Sequence, residues 1–492
     1  MLDLKPTFLS IELERALTFV PTRSKNDFEC VNPVVIQDIW EELISDHWAP
    51  ILDPITGVVS RVRLPYKEMN QSPYPFWTCT TDVCAGIFET TLAPAVQIDE
   101  LKCQQTSFDE YLSEIFKPYG IFLWNVETPP KTRVTRPYYF LNHTYWRGIY
   151  AYLRSRGCDH YWFAWTYGNN PSIDVSVDEA ILFLRIILRL TGITFFLLRR
   201  GSISEGRETP DGLMSVRPWA WSNLWSSSPY QADMKRTGMP DKEITSWTSY
   251  FNYLLGLPVI WLMDANDKPA RVIHDPSFIE LLETGGQKPI LLRADGFIDN
   301  LKELKTCDLK NLERQILISR LRCEYKSDEI PLSNFYKCLK AGEEIFRGWL
   351  KEYLTKLYLE IRSDGCPPKG EEFSTLTLYI GLLSNMEQAY EFIVEKYPYS
   401  FWKKIFNICS YEKINTMVDD VWIPDLIMGI IDISKKGLDK RGFGEVKYLE
   451  PIIKRVANNT TPAEEILKIY RAAGGGNSGL MAFAKEYGFL AT

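Results

Sequence analysis

Two short segments alternate charged and apolar residues with a period of two. Leu357-Tyr-Leu-Glu-Ile-Arg362 sets Leu357, Leu359 and Ile361 on one side of an extended chain, with Tyr358, Glu360 and Arg362 on the other. Strand rise separates the Glu360 carboxylate from the Arg362 guanidinium by about 7 Å. Near the N-terminus, Ile11-Glu12-Leu13-Glu14 repeats the pattern and puts Glu12 and Glu14 on a shared face. A third acidic group, Asp82 and Glu89, brackets Gly86 in a β-prone stretch that ends at Pro94. A single acidic residue is ordinarily a solvated surface group. Several brought together on strands, with an arginine among them, suit a site for Mg²⁺ or Mn²⁺ and a nucleotide polyphosphate.

Positioning such residues requires a sheet. Strand patterns lie near 8–19, 86–92, 172–177, 194–199, 257–263 and 356–362. Helical patterns cover 309–324, 333–355, 375–397 and 421–440. Capping boxes at Ser176–Glu179 and Thr461–Glu464 open helices that run to about Leu190 and Ala472. The apolar run Ala180–Leu198 is interrupted by Arg185, Arg189 and Gly192, so it reads as a buried helix followed by a strand and not as a membrane span. The strands are separated by long excursions, unlike regular βαβ units, which argues against a doubly wound sheet. An α+β fold is expected, with a curved, mostly antiparallel sheet, helices packed on it, and a helical C-terminal part. The chain divides into a catalytic region, 1–365, and a helical region, 366–492.

Among 492 residues, 45% are hydrophobic and 24% charged, enough for a large core. A net charge of −7 gives no general attraction to nucleic acid or to an anionic membrane. The N-terminal Met-Leu-Asp-Leu-Lys-Pro lacks the charged and apolar regions of a secretory signal. The ten cysteines show no Cys-x-x-Cys pair, and with four histidines they suggest free thiols and a reducing compartment. The expected address is the cytoplasm.

The order of these motifs resembles the glutamate–cysteine ligase family, whose catalytic domain is similar to that of glutamine synthetase. Glu12 and Glu14 match its Glu-x-Glu strand. Asp82, Glu89, Thr91 and Pro94 match its next block, and Ser172–Ala180 stands where a strand and capped helix follow. Ser215, Arg217 and Trp221 match a glycine-punctuated loop; Tyr358, Glu360 and Arg362 match a Tyr-x-Glu-x-Arg strand. Gly437 to Arg441, Tyr448 to Pro451 and Thr461 to Glu464 extend the likeness to residue 472. The resemblance implies an ATP- and Mg²⁺-dependent ligase that joins a carboxylate to an amine through an acyl phosphate. It implies Glu12, Glu14, Asp82, Glu89 and Glu360 as metal ligands, and Arg217, Tyr358 and Arg362 as contacts to nucleotide, with Arg217 and Arg362 on phosphoryl oxygens.

Some positions depart from the family. Ser172 and Asp174 replace a Gln and an Asn, Arg199-Arg200-Gly201-Ser202 replaces an Ala-Asn-Ser-Pro loop, and Trp219 replaces a histidine. These five residues, Ser172, Asp174, Arg199, Arg200 and Trp219, are the candidates for an altered substrate pocket. Other readings stay open: Arg362 as a structural partner of Glu360, Arg199 and Arg200 as a solvated turn, and Trp219, Trp221 and Trp225 as core. A phosphotransferase of the same fold and a non-catalytic nucleotide-binding descendant are the alternative functions. The expected partners are small amino acids and amines, without nucleic acid or membrane.

Overall fold

A nine-stranded sheet carries every acidic motif named above. The computed structural model describes residues 7–21, 27–53, 55–65, 76–82, 84–133, 143–158, 163–229, 231–263, 269–272, 274–283, 290–293, 298–300, 303–313 and 319–487. The strands are β1 (Leu9–Phe19), β2 (Ala49–Leu52), β3 (Val59–Pro65), β4 (Phe76–Thr81), β5 (Ile87–Thr91), β6 (Ile121–Trp124), β7 (Asn169–Asp174), β8 (Arg320–Tyr325) and β9 (Leu354–Glu360). Their spatial order is β8-β9-β7-β1-β5-β4-β3-β2, with β6 pairing the later residues of β1. Every pairing is antiparallel.

Register sorts the side chains into two faces, because a residue and its cross-strand partner point the same way. Glu12 is paired with Thr91 and Asn170, Glu14 with Glu89, and Glu89 with Thr80. Ser172 pairs with Ser10 and Glu360, while Tyr358 pairs with Asp174 and Arg322. One face is therefore polar from β8 across to Arg61 and Arg63 on β3. The opposite face presents Ile11, Leu13, Val62, Cys79, Phe88, Ile173, Leu321 and Leu359, all buried.

Helices cover that apolar face. Helix α1 (Pro33–Ser45) stacks Trp40 on Phe88, and α2 (Ile98–Phe116) sets Asp109 against Arg15. Helix α3 (Ala180–Leu198) is a correction to the expected helix-then-strand. It runs unbroken through Gly192, and 89% of its apolar window is buried in the fold. Gly192 serves as a contact point. A Cβ there would lie 2.7 Å from the backbone nitrogen of Phe406, on α6 (Tyr399–Ile408, named after α4 and α5 below). The segment 309–324 also differs from expectation: a helix ends at Glu313, and Arg320–Tyr325 form β8. The strand at 257–263 shrinks to Leu262–Met263, and the helix over 333–355 divides at Gly342, where φ is 108°.

Helix α4 (Val216–Leu224) carries Arg217, and beyond residue 366 lie helices that include α5 (Ser374–Ser384), α6 and α7 (Ile423–Arg441). Gly192→Ala tests the crossing of α3 and α6. Helix propensity favours alanine by about 1 kcal/mol, whereas forcing a methyl against backbone costs about 1–3 kcal/mol. The variant should show a lower urea midpoint with an unchanged slope. An equal or higher midpoint would contradict the close crossing.

Candidate functional site

On the polar face, Glu14, Asp82 and Glu89 each bring a carboxylate oxygen to within 4.8 Å of the other two. Glu14 and Glu89 meet as cross-strand partners, and Asp82 follows directly after β4. Glu12 stands two residues along the same face of β1. At an effective dielectric near 20, two such charges about 5 Å apart repel by about 3 kcal/mol. Three of the carboxyls, Glu12, Asp82 and Glu89, respond with a raised affinity for protons. Burial first, then Glu360 and Glu14, pushes Glu12 up to about 7; burial, then Glu14 and Glu12, pushes Asp82 up to about 7. Burial and the same neighbours raise Glu89 well above the ordinary carboxylate range.

Glu14 is braced from one end of the sheet. It accepts bonds from Gly168 N (3.0 Å), Asn170 Nδ2 (2.8 Å) and Arg217 Nη1 (2.7 Å). Arg217 gives its other amino group to Asn170 Oδ1 at 3.0 Å. A Cβ on residue 168 would collide with that guanidinium, so glycine is required there. Arg217 is itself set by Glu127, a buried carboxylate at the N-terminus of α4. Glu127 accepts from Ser215 Oγ (2.6 Å), Arg217 N (2.6 Å) and Arg200 N (2.9 Å), the helix-end arrangement that favours an anion. Arg217 thus braces a carboxylate of the cluster.

At the other side, Glu360 receives four N–H donors from three arginines. Arg320 reaches it through Nε (3.2 Å) and Nη2 (2.8 Å), and Arg322 Nη1 and Arg362 Nη1 each bond at 2.8 Å. Burial would raise this carboxyl, but Arg320, Arg322 and Arg362 outweigh it and hold Glu360 well below the ordinary range. The pairing of Arg362 with Glu360, left open from sequence, is present.

Beside Glu12 lies a cavity of about 280 Å³ lined by Ser10, Glu12, Arg61, Arg63, Ser172, Asp174, Lys356 and Tyr358, with an apolar rim that includes Phe8, Ile51 and Pro94. Burial pushes Asp174 up to about 6 against the opposing pull of Lys356, whose Nζ is 3.9 Å away.

Three of the expected substrate residues lie elsewhere. Arg199 is fully buried and bonds Thr461 Oγ1 (3.2 Å) and the carbonyls of Cys409 (3.3 Å) and Glu412 (2.5 Å), tying α3 to the C-terminal helices. Arg200 is buried with its guanidinium over Phe483 and Tyr487 and bonds Pro367 O. Both are buried and neither lines the cavity beside Glu12, because distant carbonyls and aromatic rings hold them inside the fold. Trp219 packs on Leu213, Val216 and Ala220, while Trp221 and Trp225 belong to the main core. Ser172 and Asp174 are the two substrate candidates that face the cavity.

Asn170, Arg320, Arg322 and Glu127 were absent from the sequence reading. Asn170 was legible by extending the Ser172, Asp174 alternation back one step. Arg320, Arg322 and Glu324 alternate with Leu321, Cys323 and Tyr325, a strand signal hidden by the preceding helical period.

The donor set suits a hard divalent ion. All three carboxylates offer oxygen, and Glu14, Asp82 and Glu89 would hold such an ion. Comparisons with known proteins agree with the motif order. Over 121 residues the chain is 26% identical to chloroplastic glutamate–cysteine ligase A of Oryza sativa subsp. japonica, covering 24% of this chain and 25% of the relative. Over 152 residues it is 22% identical to the chloroplastic glutamate–cysteine ligase of Solanum lycopersicum, covering 30% and 28%. The chain therefore aligns with about a quarter of the length of the curated relatives it matches. The crystal structure of glutamate–cysteine ligase from Francisella tularensis, in complex with AMP, superposes with a TM-score of 0.52 at 13% identity, covering 98% of this chain and 88% of that one. No family model matches. The fold is that of glutamate–cysteine ligase, mixed helix and antiparallel sheet.

Linkage gives a test of the carboxylate cluster. Glu12 and Asp82 bind protons more tightly folded than unfolded, so their contribution favours the folded state at acid pH and is lost as pH rises through about 7. The depressed Glu360 acts oppositely, but below its unfolded value of 4.5, outside this window. Without metal, the thermal midpoint should fall between about pH 5 and pH 8, and Mn²⁺ should raise it more at the higher pH. Glu89→Gln should flatten the fall. A midpoint that rises over this range, or Mn²⁺ stabilisation that is larger at low pH, would contradict the cluster's role.

Proposed function

We propose that this chain, which has the fold of a glutamate–cysteine ligase, is an ATP- and Mg²⁺-dependent carboxylate–amine ligase. The observation that carries this reading is the convergence of Glu14, Asp82 and Glu89 within 4.8 Å, beside an arginine-rich wall on the same sheet face. Bound Mg²⁺ would supply charge neutralisation for the phosphates. Glu14, Asp82 and Glu89 would hold it, with Glu12 next along the strand.

The chemistry is a two-step activation. A carboxylate oxygen of the donor attacks the γ-phosphorus of ATP; the bond to the β-phosphate oxygen breaks, giving an acyl phosphate and ADP. The amine nitrogen then bonds the acyl carbon, the carbon–oxygen bond to phosphate breaks, and inorganic phosphate leaves. Phosphoryl transfer of this kind asks the protein for position and electrostatic stabilisation more than for covalent chemistry. The cavity beside Glu12 fits the organic substrates, and two of its polar residues, Ser172 and Asp174, are among those that depart from the family. Asp174, pushed up to about 6 by burial, is poised to take the proton that the attacking ammonium must lose. The donor is an amino acid, glutamate being the first to test, and the acceptor is an amine other than cysteine. All ten cysteines are free, which suits a cytoplasmic address.

A screen of amino acids and amines in pairs, read as phosphate release from ATP, tests this. Release should require both partners and a divalent metal, and Asp174→Asn should lower kcat/KM for the preferred amine by about tenfold or more while raising the use of cysteine. Phosphate release that ignores the amine, or phosphate retained on the donor as the final product, would contradict a ligase. Turnover of glutamate with cysteine at about 1–10³ s⁻¹, other amines being ignored, would refute the altered acceptor.

A further inference from the structure

The family resemblance implies Glu360 as a metal ligand, but its surroundings give it other work. An ionised carboxylate offers about four lone-pair sites. All four are taken: two by Arg320, one by Arg322 and one by Arg362. The side chain is 4% exposed. A cation on Glu360 would have to displace a charge-assisted bond and stand among three guanidiniums.

The arginines divide into two kinds. Arg320 is committed, with Nε and Nη2 on Glu360 and Nη1 on the Glu313 carbonyl at 3.1 Å. Arg322 and Arg362 each spend one amino group on Glu360. Arg322 has a second, looser neighbour in Glu313, whose Oε2 is 3.9 Å from its Nε. Among the described residues, neither Arg322 nor Arg362 bonds the protein through Nη2, and Arg362 Nε is buried without a partner. Both side chains are partly exposed on the polar face, at 15% and 14%. Three positive charges around Glu360 leave a surplus of two, and Glu313, pushed up to about 7 chiefly by burial, offsets little of it below neutral pH. Arg362, at the end of β9, stands one strand from β7 and two from the carboxylates of β1; Arg320 and Arg322, on β8, stand one strand further.

We propose that Glu360 is the hub of an anion platform and not a metal ligand: it spaces Arg322 and Arg362 so that their remaining N–H groups grasp phosphoryl oxygens of the bound nucleotide, with Arg320 as the buttress. This assignment rests on the ligase reading for the identity of the anion and adds Arg322 to the groups that touch it. A planar guanidinium held at one amino group presents the other edge in a fixed direction, which suits phosphoryl oxygens better than a mobile ammonium would. The division of labour is spatial: carboxylates of β1, β5 and the end of β4 take the cation, and arginines of β8 and the end of β9 take the phosphates.

Isothermal titration of the full chain separates the two roles. The probes are Mn²⁺ alone, tripolyphosphate alone, and ADP with Mn²⁺. Arg322→Met should weaken tripolyphosphate and ADP about tenfold or more, the loss of a charge-assisted bond, with Mn²⁺ affinity within about twofold of wild type on the same basis. Glu360→Gln should retain the wild-type number of Mn²⁺ ions while weakening tripolyphosphate, because the arginines lose their spacer. Should Glu360→Gln fail to fold, Arg322→Met and Arg322→Lys carry the test, lysine restoring part of the affinity. Loss of a Mn²⁺ ion in Glu360→Gln, or unchanged tripolyphosphate affinity in Arg322→Met, would overturn the platform. Tripolyphosphate binding that depends on Arg322, in a chain that ignores ADP, would keep the platform and discard the ligase reading; a wild-type chain that binds neither would discard both.

Discussion

Like charges forced into proximity organise this molecule. Glu12, Glu14, Asp82 and Glu89 share one face of a sheet because β1 and β5 pair in a register that sets Glu14 opposite Glu89. Each close pair costs about 3 kcal/mol while both members are ionised, comparable with a sizeable part of a domain's total stability. The sheet tolerates this because its other face is apolar and buried against α1, α2 and α3, so the strands cannot slip. A slip of one residue would turn Ile11 and Leu13 outward and Glu12 and Glu14 into the core. The core therefore holds the carboxylates together, and the carboxylates acquire affinity for protons or for a cation.

The cationic side of the face is arranged by the same logic with opposite sign. Arg320, Arg322 and Arg362 would repel each other without Glu360, and Glu360 would be an unpaired buried charge without them. Arg217 performs a comparable office for Glu14, anchored in turn by Glu127 at the start of α4. Glu360 and Glu14 are each satisfied by ordered partners, which fixes direction as well as energy. That rigidity is what phosphoryl transfer uses, since its acceleration comes from groups already in place.

Much of the sheet was legible because its strands have one apolar and one polar face. Ile11–Glu14 and Leu357–Glu360 alternate cleanly, and the structure sets their charged residues on one face. Strand β8 alternates as well, but Leu309 and Leu312 carry a helical period up to it, and the reading ran on through residue 324. Gly192 misled in another way: a glycine in an apolar run signals a break, whereas here it admits the backbone of α6. Arg199 and Arg200 were beyond local reading. Their partners include Thr461, Cys409 and Glu412, more than two hundred residues away, and nothing in the local spacing marks such carbonyls as neighbours. The shared sheet face of these carboxylates was legible; which carboxylates were already satisfied by arginine was not.

The separation of cation from phosphate across one sheet face is the central claim, and anomalous scattering from crystals grown with Mn²⁺ and ADP addresses it most directly. The account predicts a manganese peak about 2.1–2.2 Å from oxygens of Glu14, Asp82 and Glu89, with phosphate density against Arg322 and Arg362 and the four bonds to Glu360 intact. A manganese ion bound to Glu360 with its arginines turned away, or a peak remote from the three carboxylates, would contradict it.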